Sequence, residues 1–438
     1  MLTYPAVLSM LSLNVMQFSD RIFLARFNMQ HFAASFPAGI ISFTFLSFFL
    51  GISAYVKDLA SQFYGAQKKG QCTISAWQGI YFSIIMGIIL ILSYPITSNI
   101  FVLAGHAPEL IPLEKNYFFW MFVSGSISIL VNALTGFFYG ISNTKVPMIA
   151  NVIANLSNIF FNWVLIFGKF GFSPLGITGA GIGTTLGQIV SLVILVCVFF
   201  NKKTREEFRT HKLYKFNFII VKKLIRFGIP SGIAYFLDIG QWGLFIMIVG
   251  KIGEKALASA NISIGLESIS FLLIVGLATG TSIITGQERG AGRLDNIHKV
   301  LFKSLVVAFF YDLLILFFFI GFPDILISMF NSKANTLYFY DIKNTVVILL
   351  RITGFWLFLD AVRIILISVL RSLGDSRFLM LSTFFGGSML VASAYIAVVV
   401  FNAKLMILWL LIICYVFSMS TLLFLRFLSG KWKSINVI

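Results

Sequence analysis

The chain has 438 residues, of which 58% are hydrophobic and only 11% charged. A soluble domain carries about 25% charged residues, and a folded sphere of this length needs more polar surface than the sequence supplies, so lipid must be the solvent for much of it. The formal charge of +17 falls mostly in loops between apolar runs, which excludes nucleic acid as a partner and fits the basic cytoplasmic loops of membrane proteins.

A bilayer core of about 30 Å takes about 20 helical residues to cross. Residues 80–92 read IYFSIIMGIILIL, without the alternation of a transmembrane β-strand. The apolar runs predict spans at 2–27, 35–57, 74–99, 116–139, 145–168, 175–200, 227–250, 256–284, 300–330, 343–370, 377–401 and 403–427. The expected fold class is an all-α polytopic membrane protein with about twelve transmembrane helices. The first apolar stretch lacks a basic lead-in and runs too long for a cleavable signal peptide. Loops after the even-numbered spans hold Lys57, Lys68, Lys69, Lys145, Arg289, Arg293, Lys299, Arg371 and Arg377, and the tail adds Lys431 and Lys433. The opposite loops hold Glu109, Glu114, Glu254 and Asp324. This asymmetry predicts a multi-pass protein with both termini in the cytoplasm.

Nine Lys and Arg lie between Lys202 and Arg226. This stretch divides the chain into an N-terminal six-helix lobe at 1–200, a cytoplasmic basic linker at 201–226 and a C-terminal six-helix lobe at 227–438. The halves look like repeats. Gln62-Phe63-Tyr64-Gly65-Ala66 corresponds to Gln287-Glu288-Arg289-Gly290-Ala291, and Pro5 to Pro230, both at an offset of about 225 residues. Both prolines are expected to kink their helices. Six spans return a half to its starting side, so the repeats are parallel and pseudo-symmetric about an axis along the membrane normal. Secondary transporters built this way bind substrate between the halves and alternate access by rocking them.

No GxxxxGK[ST], HExxH or GxSxG occurs, so neither an ATPase engine nor a hydrolase is expected. Cys72, Cys197 and Cys414 form no CxxC, and the four histidines have no metal-ligand spacing. Transport would then run on an ion gradient, which needs ionisable groups at bilayer depth, where an acid is a functional candidate by default. Such acids are Asp20, Asp238, Glu267, Asp312 and Asp360. Each can bind Na⁺ with neighbouring oxygens or take a proton. The competing reading is a buried ion pair, and Arg363, three residues after Asp360, shares its helical face. Glu267 and Asp312 are open to either reading. Asn158 and Asn162 also share a face, and with Thr184 and Asp20 they suggest an oxygen-rich pocket in the first half, or a set of interhelical hydrogen bonds. Trp356 and Tyr235, each near an acid, offer either a π-face to a cationic substrate or ordinary packing.

With these residues in place, the chain resembles the multidrug and toxic compound extrusion (MATE) family, and looks most like its bacterial NorM branch within the MOP flippase superfamily. Residues 158–184, NIFFNWVLIFGKFGFSPLGITGAGIGT, carry the most specific likeness. The paired QxxGA motifs, Pro230 with Asp238, and Leu359-Asp360-Ala361 with Leu370-Arg371-Ser372 are similar to family motifs in the same order. The resemblance implies two lobes in a V shape, and export of cationic, amphiphilic organic compounds in exchange for Na⁺ or H⁺. It implies no cofactor beyond that ion, a monomer, and the bacterial inner membrane. By resemblance, Asp20, Asp238, Asp360, Asn158, Asn162 and Thr184 couple the cation, with Na⁺ at Asp20 or Asp360. Asp238, Asp360, Trp356 and Tyr235 would meet the substrate. An alternative within the superfamily is a flippase for lipid-linked oligosaccharide or another lipid. A membrane-embedded enzyme would need a clustered nucleophile or metal motif, and the sequence has none.

Overall fold

A computed structural model describes residues 3–328 and 336–438. Among the described residues every regular element is a helix. The first unit opens with α1 (Thr3–Phe27), α2 (Met29–Ser53), α3 (Tyr55–Gly65) and α4 (Lys69–Thr97). Asn28 separates α1 from α2, and its side chain accepts from the N–H groups of Gln30 and His31, starting the second helix. A one-turn α5 (Ile100–Leu103) leads to α6 (Ile111–Gly140), α7 (Lys145–Phe167), α8 (Ile177–Phe199) and the short α9 (Lys202–Phe208). Then follow α10 (Phe218–Gly250), α11 (Glu254–Gly290), α12 (Leu294–Gly321), the short α13 (Pro323–Ser328) and α14 (Thr336–Ser372). The chain ends with α15 (Ser376–Val399), α16 (Leu405–Leu428) and a single 3-10 turn at Lys431–Ser434.

Among the described residues, eleven segments are long and apolar enough to cross a membrane, with α2 and α3 counted as one and α4 and α5 as another. The helix α1 is the twelfth: it has the length of a span, while Asp20, Arg21 and Arg26 make its second half polar. The twelve-span, all-α architecture expected from the sequence is therefore present. The first residue of the span expected at 2–27 and the last two of that at 300–330 lie outside the described residues. Several helices outrun the expected spans. The helix α10 starts at Phe218, because intrahelical hydrogen bonding continues through the basic stretch once its residues leave the apolar run.

The chain forms two compact units: Met1–Phe236 with Gly286–Gly292 and Val437–Ile438, and Leu237–Thr285 with Arg293–Asn436. In the first, an apolar cluster of Ala38, Leu90, Phe101, Phe118, Phe122 and Ile129 joins α2, α4, α5 and α6. The basic stretch belongs to this unit. Thr73 Oγ1 donates to the Phe208 carbonyl, Trp77 Nε1 to that of Thr210, Gln78 Nε2 to that of Lys215, and the Tyr81 hydroxyl to that of Tyr214. The start of α10 packs on the end of α2 and the start of α3: Gly228 and Gly232 abut Ile52 and Phe48 of α2, and Tyr55 of α3 stacks on Phe227 at 5.6 Å. These contacts explain why the division falls inside α10, after Phe236, and not at the edges of the basic stretch.

The paired glycines of the QxxGA motifs meet within this unit. A Cβ on Gly65 would run into the backbone of Gln287, and one on Gly290 into the backbone of Gln62. Gln287 Nε2 also donates to the Gly140 carbonyl and to Ser142 Oγ, at 2.9 and 2.7 Å. The second unit is built on a cluster that includes Leu349, Leu350, Trp356, Trp409 and Ile412 from α14 and α16. Pro230 lies inside α10 and removes one backbone donor from it. Pro5, expected to kink its helix, lies near the start of the described part of α1.

Candidate functional site

The first polar cluster lies where α1 meets the hairpin of α7 and α8. Glycines at every fourth position of α8 allow the approach: Gly179 faces the Leu165 backbone, Gly183 faces Asn162, and Gly187 faces Asn158. Gly168 ends α7 in a left-handed conformation (φ 67°), which reverses the chain within a few residues. Asn158 and Asn162 are buried, and they link into one chain of hydrogen bonds. Asn162 Nδ2 donates to Asp20 Oδ1 at 2.5 Å and to Asn158 Oδ1 at 3.1 Å, and Asn158 Nδ2 donates to Thr184 Oγ1 at 3.2 Å. One turn earlier on α7, Asn155 Nδ2 donates to Ser12 Oγ of α1 at 2.7 Å. The buried Asn162 Oδ1 has no hydrogen-bond partner among the described residues, and a Cβ on Gly183 would fall on it. Asp20, Asn158, Asn162 and Thr184, expected together from the sequence, are brought together here. Their carboxylate, amide and hydroxyl oxygens form a donor set that suits a hard monovalent cation.

The second cluster is ionic and lies in the second unit. Arg363 Nε donates to Asp360 Oδ1 at 2.6 Å, and Arg363 Nη1 lies 3.6 Å from Asp238 Oδ1. Asp360 and Arg363 are both 5% exposed, while the Asp238 side chain is 32% exposed. One guanidinium thus serves two carboxylates from α10 and α14, a bridge that partly offsets the cost of burying Asp360 and Arg363. The buried ion pair that the sequence offers as the competing reading for Asp360 is thus present. The pairing follows from its position one helical turn from Arg363. Glu267 of α11 accepts from Trp356 Nε1 at 3.3 Å. Asp312 of α12 is 1% exposed, and neither of its carboxylate oxygens has a partner among the described residues.

The two aromatic candidates part company. Trp356 is 1% exposed and packs against Trp409 with ring centres 5.8 Å apart, so it is core and its π-face is not open to a cation. Tyr235, in the first unit, keeps a partly exposed ring set edge-on to Phe43 at 6.4 Å. Sequence reasoning missed the second arm of Arg363, toward Asp238, because those residues are 125 positions apart with no shared periodicity. Lys57, counted among the loop cations, is instead buried inside α3 beside Asp58, 3.7 Å away. Asp375 belongs to a structural pair, accepting from Arg426 Nε and Nη2 at 2.7 and 3.1 Å.

Comparison with known proteins places these features in a family frame. A family model described as MatE matches residues 5–164 and 230–399, so that its two matches start at Pro5 and Pro230. The chain is 27% identical over 377 residues to a probable multidrug resistance protein NorM of Thermotoga maritima, covering 85% of this chain and 79% of that one. It is 23% identical over 400 residues to a protein of the same name from Pasteurella multocida, covering 88% and 82%. Among solved structures, it superposes on an outward-facing multidrug resistance MATE family transporter of the MOP superfamily with a TM-score of 0.87, at 20% identity, covering 99% of this chain and 96% of that one. A MOP superfamily transporter from Pyrococcus furiosus gives a TM-score of 0.85 at 20% identity, covering 99% and 96%.

Proposed function

Since the chain belongs to the MATE family of membrane transporters, we propose that it is a secondary antiporter exporting cationic, amphiphilic organic compounds in exchange for Na⁺ or H⁺. It acts in the bacterial inner membrane with both termini in the cytoplasm. The observation that carries this reading is the hydrogen-bonded set of Asp20, Asn162, Asn158 and Thr184, in which the Asn162 carbonyl oxygen has no hydrogen-bond partner among the described residues. A buried oxygen of this kind costs stability unless something completes it. A cation held by Asp20 and Asn162 would do so, and it would cancel the charge of a carboxylate set beside lipid. Loading the ion from outside favours one packing of α1 on α7 and releases the cargo, and cargo bound from inside displaces the ion in turn.

The second unit supports attraction of a cationic cargo. Three acids, Asp238, Glu267 and Asp360, stand around the buried Arg363. A lipid-linked flippase would need cations for a pyrophosphate; Arg363 is taken by two carboxylates, which leaves Arg21 and Arg351 as the intramembrane cations for that alternative.

Ethidium efflux from energised, efflux-deficient cells tests the proposal. Cells expressing the chain should extrude the dye, and cells expressing Asp20→Asn at the same level should not. Withdrawing Na⁺ names the ion: lost efflux assigns Na⁺, and retained efflux assigns H⁺. A well-expressed wild type that extrudes no dye would sink the cationic-cargo reading in favour of the flippase.

A further inference from the structure

We propose that Asp312 is a proton-binding site within the second unit, separate from the Asp20 cluster and exchanging its proton only when α12 and α14 repack. Three observations converge on it. First, the buried stripe of α12 reads Ile297, Leu301, Ser304, Ala308, Asp312 and Phe319, one helical face that meets protein along its length. The opposite face, with Phe302, Phe309, Phe310, Leu313 and Phe317, is exposed and apolar. Asp312 is thus turned into the unit and cannot reach the bilayer surface as a long side chain would.

Second, neither carboxylate oxygen of Asp312 has a hydrogen-bond partner among the described residues. One turn earlier, Ala308 lies in an apolar cluster with Ile274, Ala361 and Ile365. The adjacent Tyr311 hydroxyl is committed to the Ser270 carbonyl at 3.0 Å. Among the described residues, the ionisable groups that act on Asp312 are Tyr311 on its own helix and Asp360 on α14, the latter with its bound Arg363. Arg363 is spent on Asp360 and Asp238. The near charge that acts on Asp312 is therefore another acid.

Third, the chemistry separates this carboxylate from Asp20. Hard metal cations take several oxygen ligands at once. Asp20 has amide and hydroxyl oxygens beside it, whereas Asp312 has only its own two. A proton needs only one oxygen. Uptake forms one O–H bond on the carboxylate and removes a charge from an apolar cluster; release returns the proton to water. At 1% exposure the exchange requires α12 to shift against α14, which ties the proton to a conformational step.

The test uses the full chain, purified and reconstituted. Infrared difference spectra of wild type against Asp312→Asn should show a protonated-carboxyl band, present in the wild type, bleached at high pH and missing from the variant. Asp312→Glu should restore a shifted band. In proteoliposomes, Asp312→Asn should flatten the pH profile of transport, and Asp312→Glu should recover it. Identical carboxyl bands in wild type and Asp312→Asn at every pH, or an unchanged pH profile, would overturn the proposal. If Asp312→Asn fails to accumulate, the wild type against Asp312→Glu decides, a shifted band supporting the site and an unshifted spectrum removing it. The infrared result does not depend on the cargo, so it stands apart from failure of the efflux assay.

Discussion

Removing Arg363 should cost more than removing either carboxylate that it binds. Arg363→Gln would leave Asp360 buried with no cation and bring Asp238 close to it as a like charge. Breaking a buried pair in this way typically costs about 3–5 kcal/mol. Purified Arg363→Gln should melt at a clearly lower temperature than the wild type, and the double variant Arg363→Gln with Asp360→Asn should recover much of the loss. An unchanged melting temperature for Arg363→Gln would mean that the bridge is not made. Half of this bridge was legible in the sequence, since a spacing of three places Asp360 and Arg363 on one face. The other half was not, because Asp238 reaches Arg363 only through the packing of α10 near α14. Trp356 shows the same limit from the opposite side: an amphipathic ring beside an acid reads alike whether it lines a cavity or fills a core, and only its contact with Trp409 decides.

Helix crossings explain what the repeated motif is for. The recurrence of QxxGA was visible at the level of letters, but its requirement for glycine was not, because the reason lies in the other copy. Gly65 sits on the Gln287 backbone and Gly290 on the Gln62 backbone, so each motif makes room for its counterpart. Two opposing effects then set the sign of a substitution. Replacing a helical glycine by alanine gains roughly 0.5–1 kcal/mol in backbone entropy. Overpacking against backbone costs typically about 1–3 kcal/mol, since backbone cannot swing aside as a side chain does. Gly65→Ala and Gly290→Ala should therefore lower the melting temperature. Gly240→Ala and Gly243→Ala in α10, where a Cβ meets nothing within 4 Å, should leave it level or raise it. Equal effects in all four variants would remove close crossing as the reason for the motif.

At the scale of the whole molecule, charge asymmetry and helix length together set the sidedness. The 29 residues of α4 rise roughly 43 Å at 1.5 Å per residue, about the full thickness of a bilayer with its headgroups. The basic stretch is hydrogen-bonded along the early turns of α4 through Thr73, Trp77 and Gln78, so Lys212 stands at that end. Glu109 follows the far end, just before α6. Lys57 drops out of the topogenic count because it is buried, yet Lys68, Lys69 and the run from Lys202 to Arg226 keep the bias on one side. Positive loops are retained in the cytoplasm, so the Lys212 end should face inward and the Glu109 end outward. In a background with the three native cysteines replaced, Glu109→Cys should react with an impermeant maleimide in intact cells. Lys212→Cys should react only after permeabilisation, and a fluorescent protein fused after Ile438 should mature inside the cell. The reverse labelling pattern would invert the topology, and with it the direction in which a cation loaded at Asp20 drives the cargo.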